Sequence, residues 1–224
     1  MPKISPAHEQ QRRQQILAAA QACFARQGYR ATSMDDVVRE SGLSVGAIYS
    51  YFPSKEDLFL ALAQQRTEEI LGYMNQLFRQ PGPLSDKTQQ AIDYFFNSLS
   101  QDLVPLARMN MEFWSEAAKS DRLHERQQMR CDAVRQFFGW LLSQAQAEGH
   151  VRTDIDVDAA AELLMALNEG ILMLSVSGVR QVSLEALKAA YATFVDRGLA
   201  NPSKQFLDVQ HQPAQPTARN GIDQ

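Results

Sequence analysis

Cysteine is scarce in this sequence of 224 residues, which contains only Cys23 and Cys131. Neither cysteine lies in a C-x-x-C pattern or at any other metal-ligand spacing. A disulfide framework and a structural zinc site are therefore not expected. Both cysteines lie in apparently helical stretches, and we interpret them as small buried hydrophobes.

The sequence also lacks a recognisable catalytic constellation. Its four histidines lie in unrelated segments, and none has an acidic or cysteine partner at helical spacing. No glycine-rich phosphate loop is present. Asp154, Asp156 and Asp158 alternate as in a calcium loop, but the required central glycine and terminal glutamate are missing, so solvated-loop and capping roles are favoured. We expect no enzyme activity, no cofactor and no metal.

Long apolar runs are few. No apolar segment precedes Gln10, so the pattern of a signal peptide is missing. The stretch 159–176 is apolar nearly all round, but Asn168 and Glu169 interrupt its centre, and a membrane span needs about 20 predominantly apolar residues. We expect a cytoplasmic protein without membrane contact, in which this stretch is a helix buried on several sides.

Excess positive charge is absent as well, since the net charge is -4. Residues 1–60, however, carry seven basic and six acidic side chains, a balance of +1, which leaves -5 for the remainder. This asymmetry weakly favours a nucleic-acid contact at the N-terminal end. Lys3, Arg12 and Arg13 fit either an arm near phosphates or an ordinary solvated terminus.

Apolar residues recur every three or four positions along most of the chain, and no strand pattern competes. We therefore predict an all-α protein. The expected units are a helix-turn-helix domain over residues 1–60, a larger helical domain over 61–200, and a polar, disordered tail over 201–224. Two helices, 159–176 and 183–198, are expected to form a four-helix interface with a second copy of the chain.

The stretch from Ser33 to Lys55 predicts two short helices that meet across a tight turn. Ser33 is placed to cap the first helix, with Asp36 three residues on, and Gly42 is placed to end it. Ser44 is the next available cap, and it opens a second helix from Val45 to about residue 51. Two helices joined by three to four residues match a helix-turn-helix.

These residues resemble the TetR family of transcriptional repressors, also called the tetracycline-repressor family. The resemblance runs from about Ile16 to Phe59, and its most specific part is G-L-S-V-G-A-I-Y-S-Y-F-P-S-K-E-D-L, from Gly42 to Leu58. A lone helix-turn-helix pattern is common in helical hairpins. The paired tyrosines and phenylalanine followed by Pro-Ser-Lys-Glu are much harder to obtain by chance.

The resemblance implies which residues contact DNA. Many relatives carry lysine or arginine at position 45, whereas valine can touch a thymine methyl but cannot donate to guanine. The expected base-edge residues are Val45, Gly46 and Ala47, the expected phosphate contacts are Ser44, Tyr49, Tyr51 and Lys55, and Ser33 completes the DNA-binding set. A dimer would read two half-sites about 34 to 36 Å apart, in a palindromic operator.

The resemblance also implies that a small molecule binds among the central helices and shifts the helix that links the two domains. Aromatic and thioether side chains suit a flat or apolar ligand, although each is also explained as core. A carboxylate in the apolar helix must pair, hydrogen-bond or reach water, and structural pairing is favoured over ligand binding. The candidate ligand-binding residues are Met109, Phe113, Trp114, Phe137, Trp140, Asn168 and Glu169.

The sequence thus predicts a homodimeric repressor that binds a double-stranded DNA operator and is released by a small-molecule effector. One alternative is a DNA-binding regulator whose C-terminal domain responds to a protein partner. Another is a helical interaction module that does not bind DNA.

Overall fold

The computed structural model describes residues 5–99, 104–179 and 182–201, without the side chains of 104–107, 109, 110 and 113. These residues form helices joined by turns, with one isolated antiparallel bridge between Val151 and Ala200. The predicted all-α class is confirmed. The predicted tail lies outside the described residues after Asn201. The helices are α1 Pro6–Ala31, α2 Met34–Ser41, α3 Val45–Tyr51, α4 Lys55–Arg79, α5 Leu84–Asn97, α6 Val104–Ala117, α7 Asp121–Ala147, α8 Val157–Ser177 and α9 Leu184–Leu199.

Serine caps fix the starts of the helices around the helix-turn-helix. The Asp36 N–H donates to Ser33 Oγ at 3.2 Å, and the Ser33 N–H donates to the Asp36 carboxylate at 2.8 Å, which completes a capping box. The hydrogen bonds that the Ser33 N–H and hydroxyl donate to the Asp36 carboxylate lower the pKa of Asp36. Ser44 and Ser54 cap α3 and α4, because their side chains accept the N–H groups of Ala47 and Asp57, and Gly42 ends α2 at a φ of 67°. The predicted starts and stops are confirmed.

The first hydrophobic core lies among α1, α2, α3 and the first turns of α4. Phe24, Ile48 and Phe59 are almost fully buried there, and the rings of Phe24 and Phe59 meet edge to face at 5.6 Å. Cys23 is also buried in this core, as predicted, whereas Cys131 is only half-buried on α7. One face of α3 packs on this core, and the opposite face is exposed.

Helix α4 crosses the predicted domain boundary at residue 60. Leu62 from α4, Ala117 from α6 and Leu123 from α7 all pack in the first core. The second core lies among α5, α7, α8 and α9, where Phe96 packs edge to face on Tyr191 at 5.6 Å. The division into two units at residue 60 stays a prediction, because side chains from both units pack together in the first core.

Helix α8 is buried along one face only. Ala161 and Ile171 lie in the second core, whereas Leu163 and Leu174 are each about half exposed. The expectation of burial on several sides is wrong for the single chain, because α6 and α7 cover just one side of the helix. Within the part of the chain that the structure describes, α8 alone is long and apolar enough to cross a membrane, by length and composition only.

Residues 28–32, which we call the α1 turn, attach the end of α1 to α6. Gly28 has a φ of 81° and a ψ of 165°, a conformation that is essentially restricted to glycine. The following N–H, that of Tyr29, donates to the Glu112 carboxylate of α6. Arg30 pairs with Glu116, one turn further along α6, at 2.9 Å. The helix-turn-helix is thus fixed to the larger domain through its first helix.

Gly28→Ala is expected to lower the free energy of unfolding by about 1–3 kcal/mol, because alanine is strained in this conformation. Its Cβ would also lie 2.7 Å from Glu112 Oε1. Urea unfolding measures the loss. Gly42→Ala is the matched control, since Gly42 also has positive φ but a Cβ added there would meet no described atom within 4 Å, and a smaller loss is expected. Equal losses would contradict a constraint from Glu112.

Candidate functional site

Helix α3 presents an exposed face of unusual composition. Ile48 and Phe52 are buried in the first core, and they orient the helix. Val45 and Tyr49 are 51% and 44% exposed, which is high for large apolar side chains. An exposed valine and tyrosine on a short helix are positioned to contact another surface.

Gly46 lies on the same face of α3 and leaves open space around it. Among the described residues, no atom lies within 4 Å of where its Cβ would be. The free protein therefore does not need glycine at this position, although glycine costs a helix up to about 1 kcal/mol relative to alanine. Close approach of a partner surface explains the missing side chain.

The two serines among the predicted DNA contacts, Ser33 and Ser44, lie at helix N-termini. Ser44 Oγ accepts the Ala47 N–H at 3.3 Å, and Ser33 Oγ takes part in the α2 capping box; both serines are exposed. A helix N-terminus favours an anion such as phosphate. Arg13 of α1 lies 5.4 Å from the ring centroid of Phe52, which places a cation close to the end of α3.

Tyr51 and Lys55 are partly buried, as is Ala47, whereas the other predicted contacts are exposed. Tyr51 packs against the first core. The Lys55 ammonium donates to the carbonyls of Tyr29 and Thr32, each at 2.8 Å, and lies 4.5 Å from the ring centroid of Tyr29. Burial lowers the pKa of Lys55, while the carboxylates of Glu116 and Glu112 oppose that shift. Lys55 thus holds the α1 turn, and its phosphate contact stays a prediction.

A cavity of about 350 Å³ lies between α4, α5, α7, α8 and α9, within the size range of small-molecule sites. Its walls are mainly leucine, isoleucine and aromatic side chains. Polar groups from α4, α7 and α8 interrupt these walls. The phenylalanines that line it are Phe59, Phe78, Phe95, Phe137 and Phe138.

The predicted ligand-binding residues divide into three groups. Phe137, Asn168 and Glu169 line the cavity. Trp114 lies beside it and donates its Nε1–H to Glu169 at 3.3 Å. Trp140 is 42% exposed and packs on the outer side of Phe137, because it lies at the edge of the inward stripe of α7. The side chains of Met109 and Phe113 lie outside the described part of the chain.

Several polar residues that line the cavity were not predicted from the sequence, among them Gln65 of α4, Arg130 of α7 and Tyr191 of α9. A signal for Gln65 existed, since Leu58, Leu62 and Gln65 follow the spacing of one helical face. A polar residue within an apolar stripe indicates a polar group that faces inward. Arg130 gives no such signal, because its partner is 39 residues away on another helix.

The comparisons with known proteins cover both segments. A family model described as bacterial regulatory proteins, tetR family, matches residues 16–62. A second model, described as BetI-type transcriptional repressor, C-terminal, matches residues 85–200, which is more than half of the chain. The chain belongs to the TetR family of bacterial transcriptional regulators.

Relatives of this TetR-family chain match over most of its length. The repressor BepR of Brucella suis is 30% identical over 168 residues, which cover 71% of this chain and 78% of that protein. A TetR regulator from Chloroflexus aurantiacus has a TM-score of 0.69 at 26% identity, over 85% of this chain and 97% of that one. A Saccharomonospora viridis protein, described as a transcriptional regulator and solved with choline, has a TM-score of 0.75 over 86% and 99% of the two chains. Its 20% identity shows the fold alone.

Membership in the TetR family makes the chain a DNA-binding transcriptional regulator with a helix-turn-helix domain and a larger helical domain. Regulators of this family act as dimers on DNA and bind small-molecule effectors, and they are not enzymes. Several relatives are named as repressors, BepR among them. The DNA-contact residues of this chain stay predictions, which the two following variants test.

Gly46→Ala is expected to weaken DNA binding by about tenfold or more, because a methyl group would separate α3 from the bases. The same change is expected to stabilise the free protein by up to about 1 kcal/mol, since alanine favours a helix. Fluorescence anisotropy and thermal unfolding measure the two effects. Gly72→Ala on α4, also exposed and without a neighbour among the described residues, should stabilise without weakening binding. Unchanged affinity of Gly46→Ala would contradict close approach.

Lys55→Met separates the two roles of Lys55. Loss of the hydrogen bonds to the α1 turn is expected to lower the free energy of unfolding by at least about 2 kcal/mol, since a hydrogen bond of a charged group contributes about 1.5–3 kcal/mol and Lys55 makes more than one. A phosphate contact would in addition lower the slope of log affinity against log salt by about one. Salt titrations of DNA binding, at a temperature where both proteins are folded, distinguish these results. Lower stability with an unchanged slope would exclude the phosphate contact.

Proposed function

We propose that this TetR-family regulator is a dimeric, cytoplasmic repressor that binds a palindromic operator and releases it when a small molecule fills the cavity. The observation that best supports this proposal is that α4 contributes both to the support of α3 and to the wall of the cavity. Its first turns bury Leu58 and Phe59 beneath α3, and its later turns line the cavity with Gln65, Met74 and Phe78. A ligand that displaces the later turns would move the start of the same helix. The exposed face of α3, with Val45, Gly46 and Tyr49, which we call the DNA-reading face, would move with it.

Dimerisation through α8 and α9 is supported by an apolar surface that the single chain leaves uncovered. Leu163 and Leu174 of α8 and Phe194 of α9 are each at least half exposed. Small residues surround Phe194, among them Ala190 and Gly198, and they permit close approach of another helix. One α3 contacts too little DNA for a specific site, so two copies that read half-sites about 34 to 36 Å apart supply the specificity.

Contacts between α6 and the α1 turn supply a second connection between the sites. Trp114 of α6 touches Glu169 at the cavity, while Glu112 and Glu116 of the same helix hold the α1 turn. A change in the position of α6 would therefore reach the helix-turn-helix through α1 as well as through α4. The solved neighbour from Saccharomonospora viridis is described as a complex with choline, so a protein of this fold can bind a small molecule.

The alternative is a DNA-binding regulator whose C-terminal domain responds to a protein partner. The recessed, mostly apolar cavity favours a small molecule, because a protein partner would need a broad exposed surface rather than a recess of this size. A thermal-shift screen with small molecules separates the two, since a ligand that binds the folded state stabilises it by mass action.

Affinity selection tests the proposed function. Fragmented genomic DNA from the source organism is incubated with the purified protein and excess nonspecific competitor at moderate salt, and the bound fragments are sequenced. Enrichment of a few fragments that share a palindrome supports the proposal. Tyr49→Ala is the control, since this exposed side chain contributes little to the core, and it should abolish the enrichment. Equal enrichment by both proteins would contradict reading through α3.

Phe194→Asp is expected to convert the dimer to monomer and to weaken operator binding by at least about 100-fold, because a buried unpaired carboxylate is costly at an interface. Analytical ultracentrifugation measures the mass. Met129→Asp is the matched control, since Met129 is equally exposed but lies on α7. A Phe194→Asp protein that stays dimeric would place the interface elsewhere.

A further inference from the structure

We propose that the effector is an uncharged, mainly apolar molecule that carries an N–H or O–H donor and gives its hydrogen bond to Gln65. This inference rests on the proposed function, because it assigns a chemical class to the molecule that fills the cavity. It follows from three properties of the cavity wall: an acceptor of fixed orientation without a partner, charges that are already paired, and aromatic walls of limited volume.

The unpartnered acceptor is the side-chain oxygen of Gln65. Its amide nitrogen donates to the Glu69 carboxylate at 3.0 Å. A carboxylate only accepts hydrogen bonds, so the amide cannot be flipped and the oxygen must be the other atom. That oxygen is buried, and no group among the described residues donates to it. Burial without a hydrogen bond costs free energy, which a donating ligand would recover.

Asn168 supplies a second polar position in the wall. Its Oδ1 atom is also buried without a partner among the described residues, and its side chain lies beside the phenol of Tyr191. Burial raises the pKa of Tyr191 to about 12, an effect that Asn168 opposes in part. The phenol is therefore neutral at physiological pH, and this part of the wall offers hydrogen bonds without a charge.

The charged groups of the wall are paired with one another. Arg130 and Glu169 meet at 2.8 Å, with side chains only 18% and 25% exposed, and Arg66 lies 3.6 Å from Glu69. Within the described residues that line the cavity, two cations thus face two anions. A charged ligand would have to break a pair or remain uncompensated in an apolar space, and both are unfavourable. A neutral ligand avoids this cost.

The shape and size of the cavity complete the assignment. Its volume of about 350 Å³ lies at the lower end of the roughly 300–1,000 Å³ range of small-molecule pockets, so the ligand is small. Phe78, Phe95, Phe137 and Phe138 provide ring faces and edges for a flat molecule. An aromatic alcohol or a molecule of similar shape and polarity fits these walls.

Four probes of similar size test the assignment by thermal shift and titration calorimetry on the full chain. 2-Naphthol is neutral and carries a donor, 2-methoxynaphthalene is neutral without one, 2-naphthoate is an anion, and trimethylphenylammonium is a cation. We expect 2-naphthol to raise Tm and to bind about two- to tenfold more tightly than its methyl ether, the effect of one neutral hydrogen bond. The two ions should bind at least about tenfold more weakly than 2-naphthol.

Gln65→Leu and Gln64→Leu locate the hydrogen bond. Both glutamines donate to a glutamate four residues later on α4, but Gln64 is exposed and lies outside the cavity. The preference for 2-naphthol over its methyl ether should vanish in Gln65→Leu and persist in Gln64→Leu. A preference that survives in Gln65→Leu would overturn the assignment to this residue.

The remaining outcomes separate this inference from the proposed function. Stabilisation by trimethylphenylammonium or 2-naphthoate, without stabilisation by 2-naphthol, would overturn the neutral class and leave a ligand-responsive regulator in place. If none of the four probes changes Tm, the neutral aromatic class is overturned, and the affinity selection of operator DNA still decides independently whether the chain reads DNA.

Discussion

Apolar packing along α4 is the interaction on which the two sites depend. The first turns of this helix bury Leu58, Phe59 and Leu62 in the core that supports α3. The same helix then continues as a wall of the cavity, with Gln65 and Phe78 facing the space. Under the proposed function, a ligand that shifts the cavity-lining turns of this helix also moves the turns that support α3.

The polar contacts around the α1 turn are suited to a structure that changes position. Arg30–Glu116 and the Arg122 pairs with Glu56 and Asp57 join the helix-turn-helix to α6 and α7, and their arginine side chains are more than half exposed. Exposed ion pairs of this kind typically contribute at most about 1 kcal/mol each. A ligand needs to bind one arrangement only a few kcal/mol better than the other to shift the population. These ion pairs therefore fix how the helix-turn-helix lies against α6 and α7, but they contribute little free energy.

Local features were predictable from the sequence, whereas long-range ones were not. Ser33, Ser44 and Gly42 act within three or four residues, so the caps and stops of the helix-turn-helix could be predicted from spacing alone. The contacts of Lys55 are made with carbonyls more than 20 residues earlier, and no local pattern encodes them. The burial of α8 on one side only was not predicted from the sequence, for a related reason. Composition records how apolar a helix is, but it does not record which neighbour covers it.

Hydrogen exchange along α4, measured with and without a selected operator fragment, tests most directly whether DNA reading and the cavity are coupled. Linkage is reciprocal, so DNA binding must affect the cavity if the cavity affects DNA binding. We predict slower exchange not only in residues 33–55 but also in 64–79, the cavity-lining turns that lie beyond the first core. Protection confined to residues before 60, with 64–79 unchanged, would contradict coupling through α4.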